Sequence, residues 1–180
     1  MERRTLDQLV EDLGVEHRAK AALRELMQRG PRATAALKRG LAHPNPKIRQ
    51  GCCVVLDHHL DARAIPDLID NLSHDDPGVR RWAMHALACD RCKEGECRPG
   101  EDATIPMAMR MLSEDPDRHV RKEAAALLGF QVHARTDAVV ALQAAHDQDP
   151  DPLVRKVAGW HIPGGPRYER TKARPARTAS

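Results

Sequence analysis

Three of the chain's five cysteines fall close together as Cys89-x2-Cys92-x4-Cys97, and His85 stands four residues before the first of them. An i, i+4 pair at the end of a helix converges on one ion, and C-x2-C supplies a tight knuckle after it. One imidazole and three thiolates make a closed tetrahedral Zn²⁺ site, so His85, Cys89, Cys92 and Cys97 are the expected ligands. Lys93 and Arg98 offset the negative charge of such a centre. Three other readings compete. Unliganded thiols in a charged loop are prone to oxidation. A Cys89–Cys92 redox disulfide sits at a helix end, where the dipole disfavours a thiolate. An iron–sulfur cluster normally shows different cysteine spacings.

The fourth ligand has alternatives. His58 and His133 share repeat register with Cys89 and Cys92, and His59 adjoins the first of these. His85 ranks first because its geometry is local. Cys52 and Cys53 lie on an apolar helical stretch, and Cys52 reads as a small buried hydrophobe.

Few other chemistries are encoded. No G-x-G-x-x-G, Walker-type loop, H-E-x-x-H or G-x-S-x-G pattern is present. Of 180 residues 31% are charged and 2% aromatic, which disfavours a sandwich or barrel core and favours helices. No apolar run is long enough to span a membrane, and the first residues lack a secretory h-region. A cytoplasmic protein is expected. Five basic residues against one acid give Arg167–Ser180 a net +4, and the overall +3 leaves −1 for everything before it. The expected tail, 164–180, follows a Pro-Gly-Gly-Pro joint and lacks the composition for a core, so it is expected to be disordered. Residues 167–180 offer a weak contact for nucleic acid or an acidic partner.

These residues must be positioned by a repeat. Asn45-Pro-Lys-Ile-Arg49, Asp76-Pro-Gly-Val-Arg80, Asp117-Arg-His-Val-Arg121 and Asp151-Pro-Leu-Val-Arg155 share one pattern, with arginines 31, 41 and 34 residues apart. Cys52, Ala83, Ala124 and Ala158 stand three residues past each arginine; Leu56, Leu87, Leu128 and Ile162 stand seven past. With the Ile or Val before each arginine, these positions share one helical face. Asn or Asp suits an N-cap and proline the first helical position. A second helix precedes each motif: 33–41, 64–73, 103–113 and 136–146. The first 30 residues read as a degenerate pair, 5–13 and 15–29, with Thr5 and Gln8 at capping-box spacing. Residues 31–163 then hold the remaining pairs. The long 41-residue interval contains the cysteine-rich insertion, about 89–100. A single pair cannot bury its apolar face alone, so about five pairs stack.

The paired segments Ala64-Ile-Pro-Asp-Leu68 and Asp76-Pro-Gly-Val-Arg80, with Ala83, Ala86 and Leu87, resemble HEAT repeats. The closest likeness is to the short bacterial kind named after phycobilisome lyase. The resemblance covers about residues 31–162. It implies an all-α, right-handed α-solenoid with one cysteine-rich loop insertion. The second helix of each pair would line a concave face offered to an unknown protein partner. Motif acids and arginines would form an inter-repeat ladder: Arg49, Asp76, Arg80, Asp117, Arg121, Asp151 and Arg155. The expected function is a non-catalytic, monomeric interaction scaffold with a structural zinc site. The alternatives are a Cys-based redox protein, or a HEAT-like DNA-binding protein or alkylpurine DNA glycosylase using Trp82 and Trp160. The fold hosts many functions, so the site must decide between them.

Overall fold

The computed structural model describes residues 4–89, 92–93, 97 and 99–171, and its secondary structure among them is all-helical. Arg98 and residues 172–180 of the expected tail lie outside the described residues. The architecture is that of an α-solenoid, built from helix pairs. The chain divides into two compact units, Met1–Gly100 and Glu101–Ser180, with the division at the end of the cysteine-rich insertion.

The first unit contains α1 (Leu6–Asp12), α2 (Glu16–Arg29), α3 (Thr34–Leu41), α4 (Pro46–His58), α5 (Ile65–Asn71) and α6 (Pro77–Ala88). Short 3₁₀ turns, Gly30–Ala33 and Ala62–Ala64, lead into α3 and α5. The second unit contains α7 (Glu101–Glu114), α8 (Arg118–Leu128), α9 (Thr136–Gln148) and α10 (Pro152–Trp160). Within the first unit each odd helix packs on the even helix after it, and α4 packs on α6; in the second, α7 packs on α8, α9 on α10, and α8 on α10.

The helix starts follow from the Asx residues. Asn45, Asp76, Asp117 and Asp151 are the N-caps of α4, α6, α8 and α10, each accepting from a backbone N–H of the first turn. Thr5 and Gln8 form the capping box of α1. The residue two before each cap accepts the cap's own N–H: His43 Nδ1, His74 Nδ1, Asp115 Oδ1 and Asp149 Oδ1. The buried face is the expected one. Ile48, Val79, Val120 and Val154, Cys52, Ala83, Ala124 and Ala158, and Leu56, Leu87, Leu128 and Ile162 are all buried.

The motif arginines act as loop clamps. Arg49, Arg80, Arg121 and Arg155 each donate to the carbonyl six residues back, at 2.6 to 2.9 Å, on His43, His74, Asp115 and Asp149. This closes the turn between the two helices of a pair and satisfies carbonyls the turn would otherwise strand. Several of the expected ladder residues make bonds between repeats. Asp76 accepts from Gln50 and Asp151 from Arg118, at 2.8 and 3.3 Å. Arg49 reaches Asn71 at 3.0 Å, and Arg121 reaches Asp149 at 2.8 and 3.1 Å. Asp76 and Asp151 make these bonds while also capping their own helix N-termini.

Pro106 sits inside α7, which begins at Glu101. Pro66 does occupy the first turn of α5. Order also continues past the Pro-Gly-Gly-Pro joint. The N–H groups of Arg167 and Tyr168 both donate to the Trp160 carbonyl, at 2.9 and 3.0 Å. Arg167 lies over the Trp160 ring, and Tyr168 meets the His133 ring with centroids 4.5 Å apart. Gly165 permits this return, since a Cβ there would meet the Gly159 carbonyl at 2.3 Å. The composition of 164–171 is poor for a core, yet a few specific contacts to α10 suffice to seat it.

Candidate metal centre

Four side chains converge inside the first unit. His85 is in the last turn of α6, and Cys89 is its C-cap. Cys92 follows three residues on, and Asp57 is buried near the end of α4, in the preceding pair. One ligand atom from each of Asp57, His85, Cys89 and Cys92 lies within 4.8 Å of all the others. The two sulfurs are 3.3 Å apart, Cys92 Sγ is 3.5 Å from His85 Nε2, and Asp57 Oδ2 is 3.5 Å from the same nitrogen.

Metal–ligand lengths test the fit. With Zn–S of about 2.3 Å and Zn–N and Zn–O of about 2.0 Å, a regular tetrahedron has S···S near ~3.8 Å, S···N near ~3.5 Å and N···O near ~3.3 Å. Of these edges, the His85–Cys92 and His85–Asp57 separations lie within about 0.2 Å of those values, and the two sulfurs would part by about half an ångström. Two thiolates and an imidazole select a borderline or soft ion over Ca²⁺ or Mg²⁺.

Lys93 completes the cluster. Its Nζ is fully buried, 3.4 Å from Asp57 Oδ1, and donates to the Cys89 carbonyl at 3.1 Å. A buried carboxylate beside a buried ammonium keeps both charges tolerable. Burial pushes the Cys89 thiol up, but hydrogen bonds from His85 and Cys92 and the His85 charge outweigh it and bring it to about 7. Burial pushes Cys92 up, and neighbouring Cys89 and Asp57 add to this. Trp82 packs edge-on against His85 with centroids 5.5 Å apart, fixing the ring's orientation.

Cys92 and Asp57 both approach His85 Nε2, and the four donors converge on one point.

Of the ligands expected from sequence, His85, Cys89 and Cys92 come together, while Cys97 is half-buried and lies outside the 4.8 Å group. His58 and His59 are half-buried on the surface beside Asp57 and also lie outside it. His133 Nε2 is within hydrogen-bond reach of Thr171 Oγ1 and the Tyr168 carbonyl in the second unit. Asp57 and the role of Lys93 toward it escape a reading that seeks only histidine as the missing ligand. A signal existed: Asp57 is eight residues past Arg49, where the equivalent positions hold Ala88, Gly129 and Pro163. Cys52 and Cys53 are buried together, and burial raises both thiols, Cys53 to about 12. Trp82 carries Arg81 over its ring, and Trp160 carries Lys156 and Arg167.

The fold and the cluster together define a helical-repeat protein with a buried thiol–imidazole–carboxylate donor set. Residues 3–88 match the family model for HEAT repeats, which supports reading the chain as a HEAT-repeat protein. No curated protein matches the chain. No helix among the described residues is long and apolar enough to cross a membrane.

Proposed function

We propose that the protein is a non-catalytic HEAT-repeat interaction scaffold, of the short bacterial type and cytoplasmic, carrying a structural zinc site in its cysteine-rich region. The observation that supports this best is the convergence of His85, Cys89 and Cys92 with a buried carboxylate. Four protein donors fill a tetrahedron and leave no position for substrate, which is the mark of a structural rather than catalytic centre. Repeat surfaces of this kind present extended faces to protein partners. The basic residues 167–180 add a weak, salt-sensitive contact for nucleic acid, reduced by the engagement of Arg167 with Trp160.

The test is metal analysis of untagged protein purified without chelator. About one zinc per chain is expected, with a lower melting temperature after chelation because the ion binds only the folded state. A second reading, a thiol–disulfide pair, is favoured by the 3.3 Å separation of the Cys89 and Cys92 sulfurs. Zinc-free protein whose Cys89–Cys92 pair oxidises and reduces reversibly would establish it instead.

A further inference from the structure

We infer that Asp57 is the fourth ligand of the metal, so that the ion is a clasp between successive helix pairs rather than a knot within one loop. The inference rests on the metal reading above and extends it in three respects.

The first is the division of the Asp57 carboxylate. Oδ2 faces the donor group, 3.5 Å from His85 Nε2, while Oδ1 faces Lys93 Nζ at 3.4 Å. One oxygen is presented to the ion and the other to a fixed cation, the arrangement of a monodentate carboxylate oriented by an outer partner. The second is position. Asp57 is buried at the end of α4, where the equivalent places in the other copies hold the uncharged Ala88, Gly129 and Pro163. No other copy places a charge there, and a buried carboxylate must repay its desolvation through a specific partner. The third is charge. A divalent ion with two thiolates, one carboxylate and a neutral imidazole sums to −1, and Lys93, buried against it, brings the cluster to zero. The same cation would serve a Cys97 centre no better, since the Cys97 sulfur lies outside the donor group.

The consequence is mechanical. His85 and Cys89 belong to α6 and Asp57 to α4, so the ion fastens two helices already packed within Met1–Gly100. The ion class is a divalent metal that accepts mixed sulfur, nitrogen and oxygen ligands, with Zn²⁺ and Co²⁺ as probes.

The experiment uses the full chain, titrated with Co²⁺ and then Zn²⁺, with hydrogen-exchange mass spectrometry on the zinc-loaded and metal-free forms. Wild type should show a tetrahedral cobalt spectrum whose sulfur-to-metal band has the intensity of two thiolates. Zinc should slow exchange in the last turn of α4 as well as in α6. Asp57→Asn should weaken zinc binding at least tenfold and abolish the protection of α4. Cys97→Ser should leave affinity and the sulfur band unchanged. A three-thiolate band in wild type that falls with Cys97→Ser, together with zinc protection confined to α6 and beyond, would overturn the clasp while leaving the zinc reading intact. Should Asp57→Asn fail to fold, the wild-type band and the Cys97→Ser comparison decide the matter alone. Wild type that takes up neither metal overturns both readings.

Discussion

Arg121 and Asp149 face each other as a two-pronged pair. Arg121 Nε donates to Asp149 Oδ2 at 2.8 Å and Nη2 to Oδ1 at 3.1 Å, with both side chains nearly removed from solvent. The same arginine clamps the Asp115 and Pro116 carbonyls, and Asp149 also caps the N–H of Asp151. One pair thus joins the loop before α8 to the loop before α10. Removing one partner leaves an unpaired buried charge, which costs about 3–5 kcal/mol. Asp149→Ala should therefore lower stability by roughly that amount in urea denaturation. Arg121→Met combined with Asp149→Leu should cost clearly less, because no charge is left stranded. Equal losses in the single and double variants would show that the pair is not where the energy lies.

The repeat register makes a second prediction. Val79 and Leu87 are buried on the face that α6 turns toward its neighbours. Val79→Asp or Leu87→Asp places an unpaired carboxylate there, one of the few mechanisms that remove several kcal/mol at once. Both variants should be largely unfolded by circular dichroism at 25 °C, or melt far below wild type. Melting curves that overlay wild type would mean the face has been assigned wrongly.

Much of this architecture was legible because it repeats. The Asx caps, the Val-Arg step and the small residue three positions on report local helix geometry, and local geometry is written in adjacent residues. Four copies make the spacing readable where one would not. The centre was legible only as far as it is local. His85, Cys89 and Cys92 lie within one turn and one knuckle, and the structure brings them together. Asp57 comes from the preceding pair, and its approach depends on how α4 packs on α6, which no spacing records. The bonds of Asp76 to Gln50 and of Asp151 to Arg118 escaped for the same reason.

The C-terminal segment supplies a third test. Residues 164–171 return two backbone donors to the Trp160 carbonyl, and Glu169 accepts from the Gly164 N–H at 2.9 Å. Ending the chain after Pro163 removes these bonds, the Arg167 contact with Trp160 and the Tyr168 contact with His133. A loss of about 2 kcal/mol is expected from hydrogen bonds and ring contacts of this kind. For a chain of this size that corresponds to about 4–8 °C in melting temperature. An unchanged melting temperature would show that the segment rests on the body without stabilising it.

The last test is a pH dependence centred on His161. This ring is 2% exposed, and among the described residues neither Nδ1 nor Nε2 has a hydrogen bond of good geometry, the Gly129 backbone being the polar neighbour that opposes the lowering of its pKa. It fills the space beside Gly129, where an added Cβ would come within 2.2 Å of Nδ1. Burial, with the nearby Arg167 charge, pushes its pKa down from 6.5 to about 4. The unfolded chain titrates this histidine near its ordinary value, so between those two limits the unfolded state binds the extra proton and stability rises with pH. The contribution is complete above about pH 6.5 and is lost as pH falls toward 4. Carboxylates held low by arginines, such as Asp61 at about 2, lose their share chiefly below that window, so the two limbs separate. His161→Leu keeps an apolar group in the site and removes the titration. Urea denaturation at half-unit steps from pH 7 to 4 should then give a nearly flat profile for the variant and a falling one for wild type. Near pH 7 the variant should be at least as stable, because a poorly satisfied buried polar group has been removed. Parallel slopes in the two proteins would place the acid sensitivity elsewhere and sink the assignment to His161.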